Sequence, residues 1–181
     1  MRVVFSVVSL LCGCLASGAT LEKLSIDDMS RKSTLIVRGR IGACAGEQRG
    51  SVIYTRCKVS VIERWKGTAG NQVDLLIPGG TARGLIQMFT GTPKLRNGAE
   101  YVLFLWSGKS GVLQVIGLSQ GVFDVKVDGK GGVTAKREAT AEVMLDSAGQ
   151  TVHDEGVQMT VAALRNRVAL TLEGALGDTS K

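Results

Sequence analysis

Short segments of alternating apolar and polar residues, separated by turns that contain glycine, recur through the middle of this sequence. In residues 35–41, Leu35, Val37 and Ile41 share one parity, and Arg38 and Arg40 share the other. A two-residue period is that of a strand buried on one face. The 24 glycines among 181 residues, against 2 prolines, supply the conformations that tight turns between such strands require. The pattern predicts a mainly β protein.

About seven strands are expected before residue 137, and this spacing is typical of a barrel or a sandwich, since closure removes exposed sheet edges. We expect a β-barrel domain over residues 20–136 and a linker or loop over 137–156. A C-terminal helix and tail are expected over 157–181, with Thr160 capping a helix from 161 to about 173. Its apolar stripe is expected to dock on the barrel, with docking on a partner as the alternative. That stripe consists of Val161, Leu164, Val168 and Leu172.

The first nineteen residues have the layout of a secretory signal peptide. Arg2 precedes an apolar run over residues 3–11, and small residues lead up to Ala19. The run is too short to span a bilayer, and no later segment predicts a transmembrane helix. We therefore expect an exported protein, periplasmic or extracellular, cleaved near Ala19. The alternative is a lipid anchor, because residues 11–14 resemble a lipoprotein box with Cys14 as the acylated residue.

Cys44 and Cys57 are the two cysteines outside the signal segment. Export to an oxidising compartment and a hairpin expected between them, at residues 46–50, predict that they form a disulfide. Cys44 lies off the apolar parity of its strand, and a β-bulge near Gly42 would correct this. The alternative is a metal or nucleophilic site, but two cysteines without further ligands cannot complete a tetrahedral zinc site.

The net charge of +6 is concentrated in residues 31–126, which contain 14 basic and 5 acidic side chains. Four cations fall on the solvent parity of the first two strands and predict a basic binding face. An acidic partner in the cell envelope, either a protein or a polyanion, suits such a face. Nucleic acid is not expected, because the face has too few aromatic residues for stacking. The four residues are Arg38, Arg40, Arg56 and Lys58.

No catalytic, cofactor-binding or metal-binding constellation is recognisable. The only histidine, His153, lies in the least patterned stretch beside Asp154, and neighbours in sequence do not make a catalytic pair. No cofactor is expected, and we interpret the protein as non-enzymatic. An enzyme with an arginine-lined site remains an alternative if one pocket collects Arg38, Arg40, Arg56 and Glu63. The sequence leaves the oligomeric state open.

Four segments, at residues 35–40, 52–55, 59–67 and 97–104, follow one another in a recognisable strand order that covers about half the chain. This order resembles that of the netrin-like module, which includes the N-terminal domain of tissue inhibitors of metalloproteinases. The resemblance extends to uncharacterised exported bacterial proteins that end in a similar helix. The resemblance implies a small antiparallel OB-like barrel used for protein interaction. The expected function is thus an exported, non-enzymatic β-barrel binding module for an acidic or protein partner.

The chain departs from the inhibitor pattern at its N-terminus. Those inhibitors place an N-terminal cysteine on the protease zinc, whereas this chain would begin near Ala19 or Thr20 after cleavage. Modulation of a secreted metalloprotease, through a loop instead of an N-terminal amine, is therefore kept as an alternative function. Fold carries over from such a resemblance more readily than a site does.

Overall fold

Thirteen strands and two α-helices make up the described part of the protein, a computed structural model covering residues 20–108, 111–140 and 142–178. A 3-10 helix at Leu118–Gly121 precedes β9. The helices are α1 at Ile26–Lys32 and α2 at Val161–Asp178. The strands are β1 Thr20–Glu22, β2 Leu35–Arg49, β3 Val52–Lys66, β4 Gln72–Pro78, β5 Gly80–Ala82, β6 Leu85–Gln87, β7 Glu100–Ser107, β8 Leu113–Val115, β9 Val122–Val127, β10 Val133–Arg137, β11 Val143–Leu145, β12 Thr151–Val152 and β13 Val157–Thr160.

Eight strands form the main sheet in the order β13-β10-β9-β7-β2-β3-β4-β8. β8 pairs with β7 as well as with β4, so the strands from β7 to β8 curve into a barrel-like ring. Between β4 and β8, however, only Leu75 and Leu113 are paired, in parallel orientation. The ring is therefore not fully closed at this place. The predicted mainly β fold with a C-terminal helix is confirmed, with a barrel-like ring in place of a closed barrel.

The β2–β3 hairpin is the longest element and carries the disulfide. Cys44 lies directly opposite Cys57, with their Cα atoms 4.1 Å apart, and their sulfur atoms are bonded. The register shifts between Ile41 and Cys44, which confirms the bulge expected near Gly42. Two further register shifts occur in the same hairpin, between 36 and 37 and between 38 and 39. The predicted disulfide is thus confirmed, on a hairpin whose turn is at residues 50–51.

Two hydrophobic cores lie on opposite faces of the main sheet. Val102 and Leu103 are neighbours on β7, yet both are fully buried, because Val102 packs on the helix side and Leu103 inside the ring. Ile36 and Val37 divide in the same way on β2. The central strands are therefore apolar on both faces, whereas the outer part of the β2–β3 hairpin is half exposed.

The C-terminal helix packs on the sheet, as its apolar stripe predicts. Thr160 accepts a hydrogen bond from the backbone N–H of Ala163 (3.1 Å) and so caps α2. Leu164 and Val168 are fully buried against the helix-side core. Arg167 of α2 pairs with Asp27 of α1 (3.0 Å), which ties the two helices together.

The segment after residue 136 differs most from expectation. Residues 137–156, expected as a linker or loop, contain β11 and β12, which form a small sheet with β1 in the order β1-β11-β12. Residues 157–160, expected to belong to the helical tail, form β13 at the edge of the main sheet. Strands of two to four residues are too short to show a clear alternation, so the sequence pattern did not reveal them.

Candidate binding groove

The four cations of the predicted basic face lie on the β2–β3 hairpin, and each has a carboxylate partner. Arg38 donates to Glu63 (2.8 Å) and to Glu100, and the guanidinium of Arg40 lies 3.7 Å from Glu100. Glu63 also accepts from the indole N–H of Trp65 (3.1 Å), and this bond and the one from Arg38 hold its pKa below the usual value. The N-terminal half of the predicted face is therefore an ion-pair network.

The other two cations meet a second set of carboxylates. Arg56 donates twice to Glu47 (2.6 and 3.0 Å) and once to Asp74 (2.9 Å), and Lys58 donates to Asp74 (3.0 Å). The hydrogen bond from Arg56 lowers the pKa of Glu47, and the one from Lys58 lowers that of Asp74. A ligand for these cations would have to compete with carboxylates already in place, so the structure does not favour this face as an open anion site.

The four residues are also not gathered in one cavity. Arg38 and Glu63 line a shallow depression beside Val161 and Arg165, and Arg40 and Arg56 lie outside it. The arginine-lined pocket that would favour an enzyme is therefore not formed by these residues. Sequence reasoning could place the cations on one strand face, but not the acids that face them. Glu47, Asp74 and Glu100 lie on three different strands whose register is set by tertiary pairing.

A groove of about 780 Å³ lies at one end of the ring of strands. This volume is within the range of sites that bind ligands or peptide side chains. Its walls come from the end of β4, the β5–β6 hairpin, residues 91–95, the start of β7, β9 and residues 136–140 and 142. Apolar side chains form most of its surface, including Ile77, Phe89, Leu95 and Val122. The predicted disulfide residues Cys44 and Cys57 also line the groove.

A hydrogen-bonded cluster of three polar side chains lies at the groove. The Tyr101 hydroxyl accepts from the backbone N–H of Arg96 (3.1 Å) and from its Nε (3.5 Å). The same guanidinium donates to Asp124 (2.7 Å), and these contacts, that of Tyr101 first, raise the pKa of Arg96. The Tyr101 ring is buried, so its hydroxyl is fixed in place. Within the described ranges no protein acceptor is found for the proton of this hydroxyl.

A buried ion pair supports the opposite wall. Arg137, at the end of β10, donates to both carboxylate oxygens of Asp154, and the two side chains are 8% and 2% exposed. Asp154 also accepts from the backbone N–H groups of Thr140 (3.0 Å) and Gly156 (3.4 Å). Burial opposes the shift, but these donors still hold the pKa of Asp154 below its usual value. The sequence reasoning missed this pair, because its members are 17 residues apart in a stretch with no clear pattern.

The β5–β6 hairpin forms the remaining wall and is anchored on β3. Gly79 donates its N–H to the carbonyl of Ile53 (2.8 Å), and the N–H of Ile53 donates to the side chain of Gln87 (2.7 Å). A Cβ atom at Gly46 of β2 would overlap the carbonyl oxygen of Thr81, so the close approach of β5 requires glycine there. The hairpin is thus a fixed wall that carries Met88 and Phe89 at the groove.

The remaining sequence expectations concern catalysis and location. His153 is exposed, and its backbone carbonyl accepts a hydrogen bond from the side chain of Lys23 (2.8 Å). Residues 20–108, 111–140 and 142–178 contain no group of three His, Cys, Asp or Glu side chains placed to hold a metal ion. Over the same ranges, no helix is long and apolar enough to cross a membrane. The predicted signal peptide, residues 1–19, and the predicted lipidation site Cys14 lie outside the described residues.

Comparison with protein-family models finds no match for this chain, and a search of curated proteins finds none either. The netrin-like resemblance therefore rests on the strand order and the short motifs of the sequence itself.

Proposed function

We propose that this chain is an exported, non-enzymatic β-barrel module that binds a segment of a partner protein in the groove. The observation that carries the proposal is the groove itself, which combines apolar walls with a few fixed polar groups. Sites that recognise a ligand in a defined orientation have this composition. The disulfide is compatible with export to an oxidising compartment.

A protein segment suits the groove better than a polyanion does. Charged residues of both signs border the groove: Lys94 and Lys136 are positive, and Asp124 and Glu142 are negative. A polyanion would be attracted and repelled within the same site. A peptide can place an apolar side chain against the apolar walls and a hydrogen-bond acceptor at the Tyr101 hydroxyl, so it matches both parts of the groove. The netrin-like resemblance, which implies protein interaction, supports the same choice.

Site-specific photo-crosslinking in the cells that make the protein tests the proposal. A photo-reactive amino acid replaces Met88 at the groove in one variant and Leu170 on the outer face of α2 in the control. Both side chains are exposed, at 88% and 69%, so neither replacement disturbs a core. We expect one partner to be crosslinked from position 88 and not from position 170.

The crosslinked segment of that partner is then synthesised and titrated against the purified protein. We expect Met88→Asp and Tyr101→Phe to weaken binding by about tenfold each, and Leu170→Asp to leave it unchanged. Equal crosslinking from both positions, or an affinity that Met88→Asp does not alter, would overturn the proposed groove. Circular dichroism of each variant establishes that the fold is retained.

A further inference from the structure

The tip of the β5–β6 hairpin, formed by residues 83–86, carries an exposed apolar surface that the groove does not use. Leu85 is 59% exposed and Ile86 is 73% exposed. Met88 and Phe89 line the groove, whereas Leu85 and Ile86 are not among the described residues that line it. Exposed apolar surface that extends beyond single scattered side chains marks interaction sites, and this tip exposes a large apolar side chain at two successive positions.

The two apolar residues of the tip point to opposite faces of the hairpin. They are consecutive residues of the strand β6, and successive side chains of a strand alternate between its faces. A protein partner that docks on one face would cover only one of them. A medium that surrounds the tip covers both, and the acyl region of a lipid bilayer is such a medium.

The charge around the tip favours an anionic surface. Residues 75–99 contain three cations, Arg83, Lys94 and Arg96, and no Asp or Glu. Arg96 is paired with Asp124, but within the described part of the chain no carboxylate lies within ion-pair distance of Arg83 or Lys94. Arg83 stands in the tip with a φ of 52°, a left-handed conformation that glycine or asparagine adopts with less strain. Arg83 therefore occupies a position of the turn where the backbone favours glycine or asparagine.

The base of the hairpin is fixed while its tip projects. The hydrogen bonds of Gly79 and Gln87 to Ile53 hold both strands on β3, and Thr55 donates to the carbonyl of Gly79 (2.8 Å). Insertion of the tip into another phase would thus require no unfolding of the barrel. We propose that residues 83–86 are a membrane-docking tip, in which Leu85 and Ile86 enter the outer part of an anionic bilayer and Arg83 contacts lipid phosphates.

Vesicle co-sedimentation tests this proposal with vesicles of phosphatidylcholine containing one quarter phosphatidylglycerol, and with pure phosphatidylcholine. We expect wild-type protein to bind the anionic vesicles at least about tenfold more tightly than it binds the pure phosphatidylcholine vesicles. This binding should weaken as salt is added, because salt screens the lipid phosphates. Leu85→Ser/Ile86→Ser should lower the affinity by about tenfold or more, since it removes two apolar side chains. Leu170→Ser, an exposed leucine on α2, is the matched control and should bind as wild type does.

Insertion is tested separately with Ile86→Trp. We expect the fluorescence of the introduced indole to shift to shorter wavelength on vesicles and to be quenched by lipids with brominated acyl chains. Equal binding to both kinds of vesicle, unchanged binding by the double serine variant, or an Ile86→Trp signal insensitive to brominated lipid would each overturn the proposal. A lipid-free dimer that the double serine variant abolishes would overturn it too, because the tip would then be a contact between copies. The groove proposal is not affected by these outcomes, since the tip residues lie outside the groove.

Discussion

The ion pair between Arg137 and Asp154 is the residue-scale feature with the largest expected effect on stability. Both side chains are buried, and the carboxylate is saturated by the guanidinium and by two backbone N–H groups. Removing one member of such a pair leaves the other charged, buried and without compensation. Among the residues that the structure describes, none forms a hydrogen bond with the Nε of Arg137, and Asp154 is the carboxylate that neutralises this guanidinium.

We expect Asp154→Asn to lower the free energy of unfolding by about 3–5 kcal/mol, measured by urea denaturation at neutral pH. Glu138→Gln is the matched control, because Glu138 pairs with Lys136 (2.7 Å) in a largely exposed position. Exposed pairs contribute little, so the control should change the free energy by about 1 kcal/mol or less. Similar effects of the two variants would contradict the special role of the buried pair.

The same carboxylate makes stability depend on pH. Its pKa lies below the ordinary value of 3.8 in the folded state, so the unfolded chain binds the proton more readily. The contribution of Asp154 is therefore complete above that ordinary value and is lost as the pH falls through the lower, folded-state pKa. We expect the gap in unfolding free energy between wild type and Asp154→Asn to narrow between about pH 5 and about pH 2. A gap that stays constant over this range would show that the carboxylate does not titrate with unfolding.

At the scale of elements, α2 shows how an apolar stripe becomes a buried interface. Leu164 faces the sheet and is fully buried, whereas Leu170, six residues later on the same helix, is 69% exposed. We expect Leu164→Ala to lower the free energy of unfolding by about 2–5 kcal/mol, because it leaves a cavity in the helix-side core. Leu170→Ala should change it by about 0.5 kcal/mol or less. Thermal and chemical unfolding of the two variants measures the contrast, and equal losses would contradict the docking of this face.

Elements with a clear period were predictable from the sequence, and those held by distant partners were not. The parity mismatch of Cys44 was enough to predict a bulge near Gly42, because a bulge shifts the alternation by one residue. The small sheet could not be predicted in this way, since β1 pairs with β11 across more than a hundred residues and each strand has three. The ion pairs of Arg38 and Arg56 were missed for the same reason, because their carboxylates come from neighbouring strands.

The candidate groove is also formed by residues that are distant in sequence, so it could not be predicted from a local pattern. The residues that line it are spread along the chain from Cys44 to Glu142, and among its features only the disulfide was predictable from the sequence. The cluster of Tyr101, Arg96 and Asp124 depends on the pairing of β7 with β9, which sets Tyr101 directly opposite Asp124. No pattern within any single segment distinguishes these residues as part of a site. The site exists because the register between strands brings them together.

At the scale of the whole molecule, the two cores share the central strands β2 and β7. Each of these strands contributes alternate side chains to the ring and to the helix layer, so neither core is complete without the same backbone. A disturbance in one core must therefore reach the other through strands buried on both faces. This arrangement predicts one cooperative unit, in which barrel and helices unfold together.

Hydrogen exchange of the Leu164→Ala variant tests this cooperativity directly. Leu164 packs in the helix-side core, and the β3–β4 pair contributes Val59 and Leu75 to the other core. If the molecule unfolds as one unit, the most protected amides of β3 and β4 should lose the same free energy of opening as those of α2. That loss, about 2–5 kcal/mol, should equal the one found by denaturation. Wild-type protection in β3 and β4 together with reduced protection in α2 would instead mean that the helix layer opens by itself, and that the ring holding the groove is stable without it.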